Sequence, residues 1–328
     1  MISNPKIALI GNPNSGKTAV FNQLTGLAQK VSNYPGVTVE KHVGTIQISN
    51  QSYDLIDLPG IYGIIPNSLD EEIVCREILG WCQNKESTPD LIVCVIDSTN
   101  ISRNLYLATQ ILQLGIPTIF ALNMIDLLQS SNKNINTDIL KEKLNVSDVI
   151  TSCALNKKGL IDLTQSIHNF FNQKESKETS YSIRDPKINS AIAGIRDYFK
   201  KKGLTHSQSE LYAINIVSNS KSFDLFEDDE IPKLKELSIK AEKKLNENNI
   251  ISQSLNAIIR YGWLEDLFKE NEILIDYNKE EKKSFTEKVD KYLTHPIMGT
   301  GIFLMLLLSI RTPSKLAGLT RRKSNIPT

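Results

Sequence analysis

The sequence predicts an α/β fold, a mostly parallel sheet flanked by helices, followed by a small all-α segment. Three observations lead there. Short β-rich runs alternate with helical stretches over the first 172 residues, as in a sheet wound with right-handed crossovers. The central runs are apolar throughout instead of alternating, which suits strands covered on both faces. Beyond residue 186 the strand signals stop, and apolar residues recur at helical spacing.

Taken in order, the predicted strands are 6–10 (KIALI), 42–48 (HVGTIQI), 53–58 (YDLIDL), 90–97 (DLIVCVID), 117–123 (PTIFALN) and 148–153 (DVITSC). Helices are expected near 16–26, 69–82, 101–114, 137–145 and 159–171, closing a first domain over 1–172. A polar stretch at 173–185 reads as a linker. The segment 186–275 is expected to be a helical domain, its first helix capped near Gly203. Residues 276–328 form a tail.

Composition narrows the class of protein. The 328 residues carry a formal net charge of +1, with 40% apolar and 23% charged side chains. Such a balance gives no electrostatic reason to expect nucleic acid as a partner. Charged runs such as KAEKK read as solvated helix faces. The four cysteines (Cys75, Cys82, Cys94 and Cys153) show no close pairing and read as reduced thiols. No signal peptide precedes the first strand. The four histidines (His42, His168, His206 and His295) lack metal-ligand spacing, so no iron site is assigned.

The chemistry begins at GNPNSGKT, Gly11–Thr18, placed between a strand and a helix. A glycine, four residues, then Gly-Lys-Ser/Thr in that context is a phosphate-binding loop. Glycine permits backbone angles that turn consecutive amides inward onto phosphate oxygens, and the helix N-terminus adds partial positive charge. Gly11, Asn12, Pro13, Asn14, Ser15, Gly16, Lys17, Thr18 and Ala19 are the candidate phosphate-contacting residues. Lys17 would neutralise β/γ-phosphate charge and Thr18 would ligate Mg2+.

Three later segments name the base and the chemistry. DLPG (57–60) ends a strand with Asp57, a carboxylate suited to Mg2+ through water, and with Gly60, whose amide can meet a γ-phosphate. NMID follows another strand and offers Asn123, Met124 and Asp126. A carboxylate at Asp126 accepts two hydrogens from guanine, whereas adenine would leave it desolvated and unpaired. Ser152, Cys153 and Ala154 follow the next strand, where their backbone would contact the base oxygen. In NYPGVTVE (33–40), Thr38 is the candidate to complete the Mg2+ shell once a γ-phosphate is present. In this order, at successive strand ends, the segments read as a P-loop GTPase with GTP/GDP and Mg2+ as ligands.

GNPNSGKTAVFNQLTG, NYPGVTVEKHVG, DLPGIY, NMID and HPIMGTGIFL together resemble the ferrous iron transport protein B (FeoB) family, from residue 5 to about 310. The resemblance implies a cytosolic GTPase domain joined to a helical domain that restrains GDP release, both preceding a membrane permease domain that moves Fe2+. It also implies the same nucleotide roles for Lys17, Thr18, Thr38, Asp57, Asn123 and Asp126, and a K+ held by Asn14. Ile61 and Tyr62 follow DLPG, so no glutamine orients the attacking water, and Met124 stands where lysine is usual. Hydrolysis is therefore expected to be slow and K+-stimulated, with Lys17, Asn14, Thr38 and Gly60 as its catalytic groups.

The segment 295–310 resembles the start of the family's first membrane helix, yet its apolar run is shorter than the ~20 residues a span needs. Basic, proline-bearing sequence follows Arg311. The expectation is a chain that departs from the family as its membrane domain begins, leaving a cytoplasmic or peripheral protein in place of one joined to the inner-membrane permease. A homo-oligomer is also compatible. Two rival readings stay open: a soluble RNA-associated GTPase, which would normally add a basic domain, and a non-catalytic GTP-binding switch.

Overall fold

The computed structural model describes residues 4–26, 29–33, 40–66, 68–173 and 183–276, which pack as one compact unit. Thr38, most of the 173–185 linker and all of 277–328, including 295–310, lie outside the described residues.

Seven strands form the main sheet, in the order β2-β3-β4-β1-β5-β6-β8. They are β1 (Lys6–Gly11), β2 (Gln29–Asn33), β3 (Glu40–Ile48), β4 (Gln51–Asp57), β5 (Leu91–Asp97), β6 (Thr118–Asn123) and β8 (Asp148–Thr151). From β4 through β1, β5 and β6 to β8 every pairing is parallel, and β2 and β3 add an antiparallel edge. The turn at Ser49 and Asn50, both at positive φ, lets β3 fold straight back onto β4. A separate pair joins β7 (Lys133–Ile135) to β9 (Leu274–Asp276).

The helices are α1 (Lys17–Thr25), α2 (Leu69–Gly80), α3 (Ile101–Leu112), α4 (Ile125–Ser130), α5 (Thr137–Leu144) and α6 (Leu160–Gln173). After them come α7 (Pro186–Lys201), α8 (His206–Ser218), α9 (Ile231–Glu247) and α10 (Leu255–Asn271). Local capping explains several boundaries. Asp185 accepts from the Lys187 amide with Pro186 in the first turn of α7, and Thr205 and Gln208 form a capping box on α8.

Successive β1 residues divide between the two faces, as strand geometry requires. Ile7 and Leu9 pack with Val20 and Phe21 of α1 and Leu163 and Ile167 of α6. Ala8 and Ile10 face the other way, into a cluster with α2, α3 and α7–α9. Neighbouring residues of β5 and β6 join a third cluster with α4, α5 and α10. The helical segment thus shares its core with the sheet region. Tyr212 donates to the Leu79 carbonyl at 2.7 Å, and Gln208 donates to that of Leu114 at 2.7 Å.

Four elements depart from the expected set, one of them β7, whose three residues (KNI) are too few to show strand alternation. β2 is a polar, exposed-edge strand (QKVSN) whose pairing comes from β3 and not from its own pattern. α4 has six residues, too few to show helical periodicity. β9 places a strand at the end of a segment expected to be wholly helical, because β7 supplies its backbone partners. The cysteines match expectation: all four are free, and burial pushes the Cys94 thiol up to about 12.

Candidate nucleotide site

The phosphate loop follows β1 at the C-terminal edge of the parallel strands, where ligands of such sheets bind. Asn14 adopts φ 65° and Gly16 φ 83°, and the Ser15 amide closes a turn on the Asn12 carbonyl at 3.2 Å. At Gly11 a side chain has no room, since a Cβ would stand 2.6 Å from the Val95 carbonyl oxygen. At Gly16 a Cβ would collide with the Asn123 amide group. This glycine therefore serves two purposes: the left-handed turn, and the approach of the loop to the NMID segment.

Within the loop Asn12, Ser15 and Lys17 are buried, while Asn14 and Thr18 are exposed. Pro13, Gly16 and Ala19 are half-buried. The Lys17 ammonium pairs with the Asp57 carboxylate, so the phosphate loop and the DLPG loop meet through opposite charges. Burial raises the Asp57 carboxyl above its ordinary range, against the pull of Lys17 and the weaker one of His42. Gly60 lies against the phosphate loop: a Cβ there would sit 3.0 Å from the Pro13 nitrogen. The Ile61 amide donates to the Gly11 carbonyl at 3.3 Å, fixing the start of the segment that follows.

Asn123 ties three loops together. Its Nδ2 donates to the Ser15 carbonyl at 3.0 Å, and its Oδ1 accepts from the Ala154 amide at 3.0 Å. Met124 takes a left-handed conformation (φ 59°) and starts α4, which carries Asp126. Asp126 Oδ1 is buried and has no hydrogen-bond partner among the described residues. Ser15 Oγ is in the same condition. Buried polar atoms are costly when unpaired, so these two mark where a polar ligand would be received.

The Ser152–Ala154 loop departs from expectation in one respect. The Ser152 amide donates to Leu122, the Cys153 amide to Lys158 and the Ala154 amide to Asn123. All three are engaged within the protein, so none stands free for a base oxygen. The loop instead holds Asn123 and, through the Ser152 carbonyl, accepts from the Ile125 amide at 3.3 Å. Gly159 makes its return possible, with φ 76° and no space for a Cβ beside the Thr151 carbonyl.

Of the sequence-derived residues, the structure brings together the Gly11–Ala19 loop, Asp57, Gly60, Asn123, Met124, Asp126 and the Ser152–Ala154 loop. Thr38 lies outside the described residues. Gln110 was not anticipated. Fully buried on α3, it accepts from the Ile64 amide just past DLPG. The signal was a glutamine on the apolar stripe of a helix, which demands a specific partner.

A family model described as "Ferrous iron transport protein B" matches residues 5–167. An S. thermophilus NFeoB variant, solved bound to GDP, is 31% identical with a TM-score of 0.66. That match covers 81% of this chain and 98% of that one. This chain belongs to the FeoB family. The solved cytosolic domain of L. pneumophila FeoB is 28% identical over 82% of this chain and 99% of its own, with a TM-score of 0.67. Among curated FeoB relatives, the Fe(2+) transport protein A/Fe(2+) transporter FeoB fusion protein of Porphyromonas gingivalis is 31% identical over 317 residues. The Fe(2+) transporter FeoB of Escherichia coli (strain K12) is 47% identical over 142 residues. The matches cover 92% and 42% of this chain, but only 36% and 18% of those relatives. Among the described residues, no helix is long and apolar enough to cross a membrane.

Proposed function

We propose that this chain binds guanine nucleotide and hydrolyses GTP to GDP and phosphate as the nucleotide-responsive module of a ferrous iron transporter. The observation that carries the reading is the buried, unpartnered Asp126 Oδ1, on a helix whose preceding Asn123 is locked to both the phosphate loop and the Ser152–Ala154 loop. A carboxylate so placed matches the paired N–H donors of guanine and would be left unpaired by adenine. The GDP bound in the S. thermophilus relative supports the same assignment.

The residues divide the work by their chemistry. Amides of the Asn12–Thr18 turn and the N-terminus of α1 would cradle the β-phosphate. Lys17 would exchange its Asp57 partner for phosphate oxygens, and the Gly60 amide would reach the γ-phosphate across Pro13. The Thr18 hydroxyl and Asp57 carboxylate are hard oxygen donors suited to Mg2+, with Thr38 as a further ligand. Among the described residues no group of three His, Cys, Asp or Glu could hold a metal alone. An ion bound together with nucleotide phosphates would need few protein ligands, since Mg2+ favours few carboxylates plus substrate oxygens.

With Ile61 after the DLPG glycine, no side-chain amide orients water at that position, so turnover is slow without added positive charge. Asn14, exposed at the crest of the loop in a left-handed conformation, would hold K+ beside the phosphates and supply that charge. Switching between GTP and GDP would then gate Fe2+ movement through the family's permease domain. GTP turnover in K+ and in Na+, for the full chain and for Asn14→Ala, tests the assignment. Faster turnover in K+ that is lost in Asn14→Ala is expected; equal rates in all four conditions would overturn the K+ role, and no turnover at all would overturn the enzyme reading.

A further inference from the structure

The helix that carries Asp126 is too short to hold itself in place. α4 spans six residues, starts at Met124 without a side-chain cap, and isolated helices shorter than ~12 residues are marginal. Its position therefore comes from tertiary contacts: the bond from the Ile125 amide to the Ser152 carbonyl at its start, and packing along its length. Ile125 and Leu128, which bracket Asp126, are 1% and 5% exposed, and both belong to a buried cluster that joins residues of β5, β6, α3 and α5 to Ile135, Leu264, Leu267 and Ile273. Three of those four residues come from the C-terminal end of the helical segment.

The backbone makes the same connection. Among the described residues β7, entered by the short turn that follows α4, has a single strand partner, β9. Leu274 pairs with Ile135, Ile275 with Asn134 and Asp276 with Lys133, whose ammonium stands 3.7 Å from the Asp276 carboxylate. The Asn136 amide adds a bond to the Ile273 carbonyl at 2.8 Å. Ile273, fully buried, is thus gripped by its backbone while its side chain belongs to the cluster that also holds Ile125 and Leu128. The DLPG side of the site is braced elsewhere: Leu58, Ile61 and Ile64 belong to the cluster with α7–α9.

We propose that Ile273 and the β7–β9 pair position the base-reading helix, so that the last described turn of the helical segment sets how tightly Asp126 reads guanine. Ile273 is a positioning residue, acting through the cluster it shares with Ile125 and Leu128. The two braces differ in make-up, with the C-terminal half of α10 and Ile273 on the base side, and α7–α9 with the start of α10 on the γ-phosphate side. This inference rests on the proposed guanine site.

The test compares GDP with inosine diphosphate, which has the same phosphates but lacks the exocyclic amine that Asp126 would bind. Full-length wild type, Ile273→Val and Ile273→Ala are titrated with each nucleotide, and thermal unfolding is recorded. GDP affinity is expected to fall in graded order, by about tenfold for Ile273→Ala (roughly 1.4 kcal/mol). Inosine diphosphate affinity is expected to fall less, so that the preference for GDP shrinks. An equal loss for both nucleotides, or an unchanged preference in both variants, would overturn the positioning role whatever the change in melting temperature. If Ile273→Ala does not fold, the same ratio in Ile273→Val decides. A wild type that does not distinguish the two nucleotides would instead overturn the base assignment itself.

Discussion

Replacing Gly16 by alanine tests how the phosphate loop and the base segment are fitted together. Gly16 sits at φ 83°, where an L-residue costs roughly 1–2 kcal/mol. The new Cβ would collide with Asn123 Nδ2, so Asn123 must turn away and give up its 3.0 Å bonds to the Ser15 carbonyl and the Ala154 amide. Each lost bond contributes about 0.5–1.5 kcal/mol, giving a combined penalty of about 2–5 kcal/mol. Gly203→Ala is the control. Its φ is 92° and nothing lies within 4 Å of an added Cβ, so it carries the backbone penalty alone. Urea unfolding and GDP titration of both variants separate the two contributions. Gly16→Ala should unfold at clearly lower urea than Gly203→Ala and bind GDP at least ~30-fold more weakly, which corresponds to about 2 kcal/mol. Equal destabilisation of the two variants, with unchanged GDP affinity in Gly16→Ala, would refute the claimed contact.

Two further predictions concern stability. Arg260, fully buried on α10, donates to Asn256 at 2.6 Å, to Thr109 at 3.1 Å and to Gln113. Arg260→Met fills similar space but leaves those acceptors without their donor, so denaturant unfolding should show a loss of about 3–5 kcal/mol. A loss below about 1 kcal/mol would mean that the network is dispensable. Asp148 gives a pH signature. Partial burial would raise its carboxyl, but Lys141 at 2.8 Å, Ser166 at 2.7 Å and the Val149 amide outweigh that and hold it below its ordinary value of 3.8. The folded state therefore favours the ionised form. Its contribution is complete above pH 3.8 and fades as pH falls through the lowered native value. Unfolding measured across that acid range should show a shallower decline for Asp148→Asn than for wild type, and identical slopes would remove Asp148 from the account.

Much of this was legible in the sequence because it rests on local, periodic or motif signals. The apolar runs of β1, β5 and β6 could only be strands covered on both faces, and the glycines of the phosphate loop stand where positive φ or close approach is required. Gly203, at φ 92° just past α7, marked the end of the first helix of the second region, whereas the caps Asp185 and Thr205 emerged only from the structure. What stayed hidden depends on partners distant in the chain. β2 carries no apolar alternation and becomes a strand only beside β3. α4 is shorter than two turns, so no periodicity could reveal it. β9 exists because β7 is there to receive it, about 140 residues earlier in the chain. The Ser152–Ala154 loop was placed correctly at a strand end, yet its amides turned inward, since Asn123, Leu122 and Lys158 satisfy them first. Gln110 and Arg260 show the same limit: a polar residue within an apolar helix announces that a partner exists without saying which one.

The central claim is that Asp126 turns a phosphate-binding loop into a guanine-specific site, and competition binding tests it most directly. GDP, ADP and xanthosine diphosphate would each displace a fluorescent guanine nucleotide from the wild-type chain and from Asp126→Asn. The account predicts a wild-type preference for GDP over ADP of roughly 10³-fold or more, because a buried carboxylate left unpaired by adenine is heavily penalised. In Asp126→Asn the preference should pass to the xanthine nucleotide, whose extra carbonyl accepts from the new amide. Comparable affinities for GDP and ADP in the wild type, or an unaltered base preference in the variant, would contradict it.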